Sequence, residues 1–269
     1  MLIDLWDFET LPEKAHALLT GNDELYGEFI AEEAKIDGMR PRHGWSGQRP
    51  KNCMHDPKAD IEAQIAELVA HHYLRCFHYS RMCDAEVGIL KEIGIVPASP
   101  KFLEERLARL VTSGDLPEEM AREIGARSTL RFEGRYPHRN GLYWVTVWPL
   151  PVDHEGVVDL LASWGGESAY FALENKAIAD RLAAIGAPRV VELSAPIAAI
   201  NGDGPACVAG RLVDLRMGQL GLIKKPPATD VAIGSALPPG AVLCVHTEGE
   251  DTFETLACGY PSNYNAKAD

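Results

Sequence analysis

Two residues capable of chemistry stand two positions apart in the segment Cys76–Arg81, a histidine, His78, and a hydroxyl-bearing serine, Ser80. The segment is rich in aromatic residues and bounded by a polar break, which predicts a strand, and the helical spacing that follows puts His78 near the strand's end. A histidine in this position can orient a ligand or exchange a proton with it. Its alternative role is structural, as a hydrogen-bonded histidine beside a buried strand.

Several signatures of common enzyme classes are missing from the chain. It has no Gly-x-x-x-x-Gly-Lys-[Ser/Thr] loop, no Gly-x-Gly-x-x-Gly after a strand, no Gly-x-Ser-x-Gly elbow and no His-Glu-x-x-His. The metal-capable side chains nearest one another in sequence are Cys53, His55, His71, His72, Cys76 and His78. Their spacing matches no familiar zinc site, so no metal is expected.

The segment Cys76–Arg81 and the helix after it resemble the first motif of the ADP-ribosyltransferase fold. In that family a strand ends in His-x-Thr or His-x-Ser, and the following helix closes on a glycine and a hydrophobic residue. Gly94 and Ile95 stand in the place of that pair. The resemblance implies that His78 and Ser80 hold the ribose and the amide at the nicotinamide end of NAD, with NAD as the substrate.

A second segment, Asn140–Trp144, is similar to the family's Gly-x-Tyr strand, whose tyrosine stacks on nicotinamide. The resemblance gives this role to Tyr143. The pattern continues to Trp148, and both alternating sets of residues are largely apolar, which predicts a strand buried on both faces. A place in the core is therefore the alternative role of Tyr143.

An acidic residue is the third requirement, because cleavage of the nicotinamide glycosidic bond passes through an oxocarbenium-like state that a carboxylate stabilises. The preferred candidate is Glu167, since Gly165 and Gly166 before it let the backbone turn tightly and expose the next side chain. Glu192 and Glu254 are the reserve candidates. In the family the acid lies on or beside a late strand, whereas Glu167 is predicted to start a helix, where a carboxylate also favours the helix dipole.

The chain is acidic, with a formal charge of −13, which opposes long-range attraction to nucleic acid or to anionic lipid. Two segments nevertheless carry an excess of basic residues, Arg40–Lys58 and Arg122–Arg139. This distribution favours a small phosphorylated ligand over an extended nucleic acid. In the NAD hypothesis Arg81, or an arginine from Arg127–Arg139, pairs with the pyrophosphate; otherwise the basic residues are solvated or paired with acids.

Hydrophobic spacing and capping residues predict the elements that position these side chains. The predicted helices are Pro12–Leu19, Asp23–Ile36, Asp60–His72, Ala85–Ile93, Pro100–Arg109, Pro117–Ile124, His154–Ser163 and Glu167–Ile185. The predicted strands are Tyr73–Tyr79, Asn140–Trp148, Arg189–Ser194, Ala206–Leu215 and Ala241–His246.

Helices precede strands without regular alternation, which favours an α+β fold with a mixed or antiparallel sheet core. Residues 1–72 are expected to form a helical region packed on an α+β main domain of residues 73–269. We read no export signal and no apolar run long enough to span a membrane. Six cysteines without a Cys-x-x-Cys pair fit a reducing compartment, so a cytoplasmic protein is expected.

Three functions stay open at the level of sequence. The first is an NAD-using ADP-ribosyltransferase-like or NAD-glycohydrolase enzyme, such as an intracellular toxin or defence effector, whose acceptor the sequence does not name. The second is a non-catalytic binding or regulatory module, and the third is a hydrolase or nuclease that uses His78 with another acid. Convergence of His78, Tyr143 and an acid in one pocket would favour the first function, and their dispersal through the core would favour the second.

Overall fold

The computed structural model describes residues 1–39, 48–131, 140–170, 175–224 and 229–258, and they form the predicted α+β fold. The strands are β1 Leu2–Ile3, β2 Tyr73–Met82, β3 Tyr143–Thr146, β4 Ala187–Pro196, β5 Asp230–Ile233 and β6 Val242–Thr247. They pair in the order β5-β3-β2-β4-β6 with antiparallel neighbours, and β1 pairs in parallel with β2. The long pairing of β2 with β4, from Tyr73 opposite Pro196 to Met82 opposite Ala187, forms the centre of this mixed sheet.

Helices make up most of the remaining described chain. They are α1 Glu13–Thr20, α2 Asp23–Gly38, α3 His55–Val69, α4 Asp84–Ile93, α5 Pro100–Ser113, α6 Glu118–Arg127, α7 Val158–Ala162, α8 Glu167–Tyr170, α9 Lys176–Ala184, α10 Gly204–Gln219 and α11 Asp251–Ala257. Within the described ranges, no helix has the length and apolar character needed to cross a membrane.

One predicted strand is wrong, because residues Ala206–Leu215 lie inside α10. The carboxylate of Asp203 caps this helix by accepting the Ala206 N–H at 3.1 Å, and Pro205 occupies its first turn. Apolar residues on nearly every side of the helix bury it and obscure its period, so the run reads as a strand. The short strands β1 and β5 were not predicted.

The main hydrophobic core surrounds the sheet and includes the first 72 residues. Fully buried Leu19 of α1, Val69 of α3 and Leu212 of α10 belong to the same cluster as Leu74 of β2 and Val191 of β4. Together with the pairing of β1 on β2, this cluster joins the N-terminal helices to the sheet.

A second hydrophobic cluster lies among α5, α6, α9 and the segment before α8. Its buried members include Leu107 of α5, Ile124 of α6, Leu182 of α9 and Trp164, whose side chain is fully buried. The two clusters share no residue, and the candidate functional site is lined by residues of both.

The end of α4 depends on a glycine, Gly94, with φ of +82° and ψ of −164°. This region of backbone space is open essentially to glycine alone. A Cβ at Gly94 would also lie only 1.9 Å from the carbonyl oxygen of Leu237, which pairs with Ile95. The segment after α4 and the segment before β6 are therefore held in close backbone contact at this residue.

We expect Gly94→Ala to lower the free energy of unfolding by at least about 2 kcal/mol, because strain and a backbone clash add together. Gly114→Ala is the matched control: Gly114 ends α5 with φ of +80°, but among the described residues no atom beyond its chain neighbours lies within 4 Å of its Cβ position. This control should cost about 1 kcal/mol. Urea unfolding measures both values, and equal losses would contradict the close contact at Gly94.

Candidate functional site

A cavity of about 860 Å³ opens between the two hydrophobic clusters. Its walls come from β2, β3, α4, α5, α7 and the turn before α8. The volume lies within the range of about 300–1,000 Å³ that is common for small-molecule sites. Most of the lining is apolar, and it also includes polar and charged side chains.

Four residues singled out by the sequence line this one cavity: His78, Ser80, Tyr143 and Glu167. They come from β2, from β3 and from the start of α8, which are far apart along the chain. His78 and Ser80 reach the cavity together because residues two apart on a strand share a face.

The hydrogen bonding of His78 defines its tautomer. Its Nδ1 lies 2.8 Å from the backbone carbonyl oxygen of Trp144, which only accepts hydrogen bonds, so Nδ1 carries the proton. Burial lowers the pKa of His78. The hydrogen bond to Trp144 raises this pKa and the positive charge of Arg106 lowers it, so that the pKa is below its usual value. The imidazole is therefore neutral near pH 7, with a lone pair on Nε2 that can accept a hydrogen bond from a ligand.

This lowered pKa has a consequence for stability. As the pH falls through about 6.5, the unfolded chain binds a proton at His78 before the folded chain does, so the free energy of unfolding falls. We expect wild type to lose more stability than His78→Gln between about pH 7.5 and 5.5, at no more than about 1.4 kcal/mol per pH unit. Urea unfolding at both pH values measures the difference, and parallel pH profiles of the two proteins would contradict a neutral, half-buried His78.

Tyr143 is held firmly in the wall of the cavity. Only 6% of the residue is exposed, its hydroxyl donates to the Ser235 carbonyl oxygen at 3.2 Å, and burial raises the pKa of the phenol. Its ring meets the His78 ring edge-on, with centroids 6.3 Å apart and planes at 85°. The contact with the Tyr143 ring therefore restricts the orientation of the imidazole.

The neighbouring Trp144 is an exception to the predicted burial of both strand faces, which holds for Thr146 and Trp148 on its own side. This residue lines the cavity with 39% of its surface exposed, whereas Tyr143 and Val145 on either side of it are buried. Alternation along β3 turns the tryptophan away from its buried neighbours. The cavity therefore presents a second, more accessible aromatic ring than the one that the sequence singled out.

Glu167 starts α8, as predicted, after two glycines with positive φ, Gly165 at +85° and Gly166 at +58°. The Ser168 hydroxyl donates to the Gly165 carbonyl oxygen at 2.7 Å and fixes the turn. A Cβ at Gly165 would lie 2.6 Å from the Cβ of Ala169, so this turn requires glycine on both counts. The turn brings the half-buried Glu167 to the cavity wall.

The two reserve acids lie elsewhere. Glu192 on β4 accepts a hydrogen bond from Arg75 at 2.7 Å and lies 3.1 Å from His246, and it does not line the cavity. Glu254 is exposed on α11, also outside the cavity lining. Of the three candidate acids, only Glu167 shares the cavity with His78.

The expected role of Arg81 at a pyrophosphate is not supported by its position. Its guanidinium donates to the carbonyl oxygens of Ile185 at 2.9 Å and Leu161 at 3.3 Å, and the residue does not line the cavity. These two hydrogen bonds hold the guanidinium against α7 and the end of α9. Within Arg127–Arg139, residues 132–139 lie outside the described part of the chain.

Sequence reasoning missed a polar cluster in which Glu86 of α4 and Arg106 of α5 line the cavity and bond to each other, and the fully buried Trp164 bonds to Glu86. Glu86 accepts hydrogen bonds from Arg106 Nε at 2.7 Å and from Trp164 Nε1 at 2.8 Å. Burial alone would raise the pKa of the Glu86 carboxyl, but the Arg106 charge and the hydrogen bonds outweigh burial and lower it. Glu86 is therefore ionised, and its oxygens are occupied by fixed donors.

Three further ionisable residues line the cavity, Arg109, His154 and Asp230. His154 Nδ1 accepts the Gly156 N–H at 3.1 Å, which in the neutral ring leaves its proton on Nε2. Among the described residues, no group of three or more His, Cys, Asp or Glu side chains is arranged to hold a metal ion. The cavity lining therefore combines charged, polar and aromatic side chains.

Comparison of the chain with protein-family models, with curated proteins and with solved structures gave no match.

Proposed function

We propose that this protein is an NAD-using enzyme that cleaves the nicotinamide glycosidic bond, as an ADP-ribosyltransferase or an NAD glycohydrolase. The observation that carries the proposal is that His78, Ser80, Tyr143 and Glu167 line one cavity. Their agreement with the motif order of the ADP-ribosyltransferases adds the reaction class. The polarity of the lining supports the same ligand, since NAD has a cationic nicotinamide ring and an anionic pyrophosphate.

In the proposed reaction, His78 Nε2 accepts a hydrogen bond from a ribose hydroxyl, and Ser80 holds the carboxamide. The bond between ribose C1′ and the nicotinamide nitrogen breaks, and its electron pair leaves with nicotinamide, which becomes neutral. The Glu167 carboxylate stabilises the positive charge that develops on the ribose. Water or an acceptor hydroxyl then forms the new bond to C1′ and gives its proton to the same carboxylate.

A non-catalytic binding module is the second candidate, and the observation that favours it is the state of Tyr143. The tyrosine is buried and its hydroxyl is used by Ser235, as in a structural core residue. In this case the cavity binds its ligand without turnover, so that NAD binds and no nicotinamide is released.

The test is to incubate the protein with NAD, with and without cell extract, and to quantify nicotinamide by chromatography. We expect release from wild type and a loss of at least about 100-fold in His78→Ala, in the range for loss of a positioned polar catalytic group. His71→Ala, a change at an exposed histidine outside the cavity, should retain the wild-type rate. Wild type that releases no nicotinamide under either condition would refute the proposal.

A further inference from the structure

The guanidinium of Arg106 is presented to the cavity in a fixed orientation. Its side chain is 15% exposed, its Nε donates to Glu86 at 2.7 Å, and the group lies 4.4 Å from the centroid of the Trp164 ring. Among the described residues, no hydrogen-bond partner is seen for its two η nitrogens. An arginine held at one edge and stacked on an indole keeps its outer edge ready for a ligand.

Glu86 is itself immobilised, which keeps Arg106 in place. Besides Arg106 and Trp164, it accepts the backbone N–H of Cys83, the N-cap residue of α4, at 3.0 Å. The carboxylate is thus bound to α4, to α5 and to the segment before α8 at once. Because Glu86 is held by several donors, it keeps the Arg106 guanidinium in the fixed position that ligand binding requires.

We infer that Arg106 is the anion-binding residue of the cavity and that it takes a phosphate or pyrophosphate group of the ligand. The inference deepens the proposed function, on which it rests for the identification of the pyrophosphate as that of NAD. A guanidinium edge with two donors matches phosphate oxygens in a bidentate geometry. Arg109, three residues further along α5, lines the same cavity and adds a second positive charge on that side.

The positions of the other charged groups agree with a dinucleotide. Arg106 and His78 line the same cavity, so a ribose at His78 and a pyrophosphate at Arg106 can belong to one molecule. Glu167 lines the same cavity and contributes a carboxylate to it. This polarity distinguishes the ligand from a simple apolar molecule, which would leave Arg106 desolvated and unpaired.

The experiment is calorimetric titration with inorganic pyrophosphate and, separately, with ADP-ribose. We expect Arg106→Gln to weaken binding of both at least about 10-fold, and Arg106→Lys to weaken it less, because the charge remains while the bidentate fork is lost. Arg122→Gln, the same change at an exposed arginine of α6 outside the cavity lining, should bind as wild type. If Arg106→Gln binds pyrophosphate more weakly but binds ADP-ribose as tightly as wild type does, the inference that Arg106 binds the pyrophosphate of a dinucleotide is wrong.

Loss of Arg106 leaves Glu86 buried without its cation, so a second variant guards against misfolding. Glu86→Gln combined with Arg106→Gln replaces the ion pair by two neutral amides that can bond to each other. If this double variant melts as a folded protein and binds pyrophosphate as tightly as wild type, the inference is wrong. If it is folded and binds at least about 10-fold more weakly, the inference stands.

The two proposals fail in different ways. Wild type that binds pyrophosphate through Arg106 but releases no nicotinamide would refute the enzymatic function and leave the anion site intact. Wild type that releases nicotinamide, with an unchanged KM for NAD in Arg106→Gln, would refute the anion site and leave the enzymatic function intact.

Discussion

Glu167→Gln should slow nicotinamide release from NAD by at least about 100-fold, the usual loss when a preorganised electrostatic group is removed from a transition state. The substitution keeps the size of the side chain and removes its charge, so the turn at Gly165 and Gly166 should remain. Because the carboxylate acts mainly on the charge that develops during bond cleavage, kcat should fall much more than KM rises.

Glu254→Gln is the matched control, since it makes the same change at an exposed acid outside the cavity. Its rate should equal that of wild type. Thermal melting of both variants shows whether they are folded. A folded Glu167→Gln protein with the wild-type kcat would show that Glu167 takes no part in the mechanism. A loss of activity in Glu254→Gln alone would show that the reaction takes place outside the cavity.

Glu86→Ala should lower the free energy of unfolding by about 3–5 kcal/mol, whatever the protein does with NAD. The substitution leaves the Arg106 guanidinium and the Trp164 indole N–H without their acceptor in a largely buried place. Removing one member of a buried ion pair costs much more than a surface pair contributes, because the remaining charge stays desolvated.

Glu105→Ala on α5 is the control for this prediction, because Glu105 is 51% exposed and lies 3.9 Å from the exposed Lys101. A surface pair of this kind contributes at most about 1 kcal/mol. Urea unfolding gives both values. A cost below about 1 kcal/mol for Glu86→Ala would mean that the cluster is not organised as described.

The parts of the fold that follow from local patterns were predictable from the sequence. The strand at His78, the helix that begins near Asp84 and the helix start at Glu167 each depend on neighbouring residues, such as aromatic runs and paired glycines. The error at α10 has the opposite cause. This helix is buried on several sides, so its apolar residues lose the period that distinguishes a helix from a strand.

The candidate site was predictable only in part, for the same reason. His78, Ser80, Tyr143 and Glu167 stand in short motifs that the sequence displays directly. The cluster of Glu86, Arg106 and Trp164 joins residues up to 78 positions apart. No short sequence motif contains all three residues, so their contact could not be predicted from local patterns. The pairing exists only after α4, α5 and the turn before α8 have packed together.

The central claim is that the cavity between the two hydrophobic clusters binds NAD with its nicotinamide ribose at His78 and Glu167. Its most direct test is a crystal structure with carbocyclic NAD, in which a methylene group replaces the ribose ring oxygen and no oxocarbenium ion can form. We expect the analogue in the cavity, with a ribose hydroxyl about 3 Å from His78 Nε2 and the pyrophosphate at Arg106. An analogue bound outside the cavity, or a cavity without it at saturating concentration, would contradict the claim.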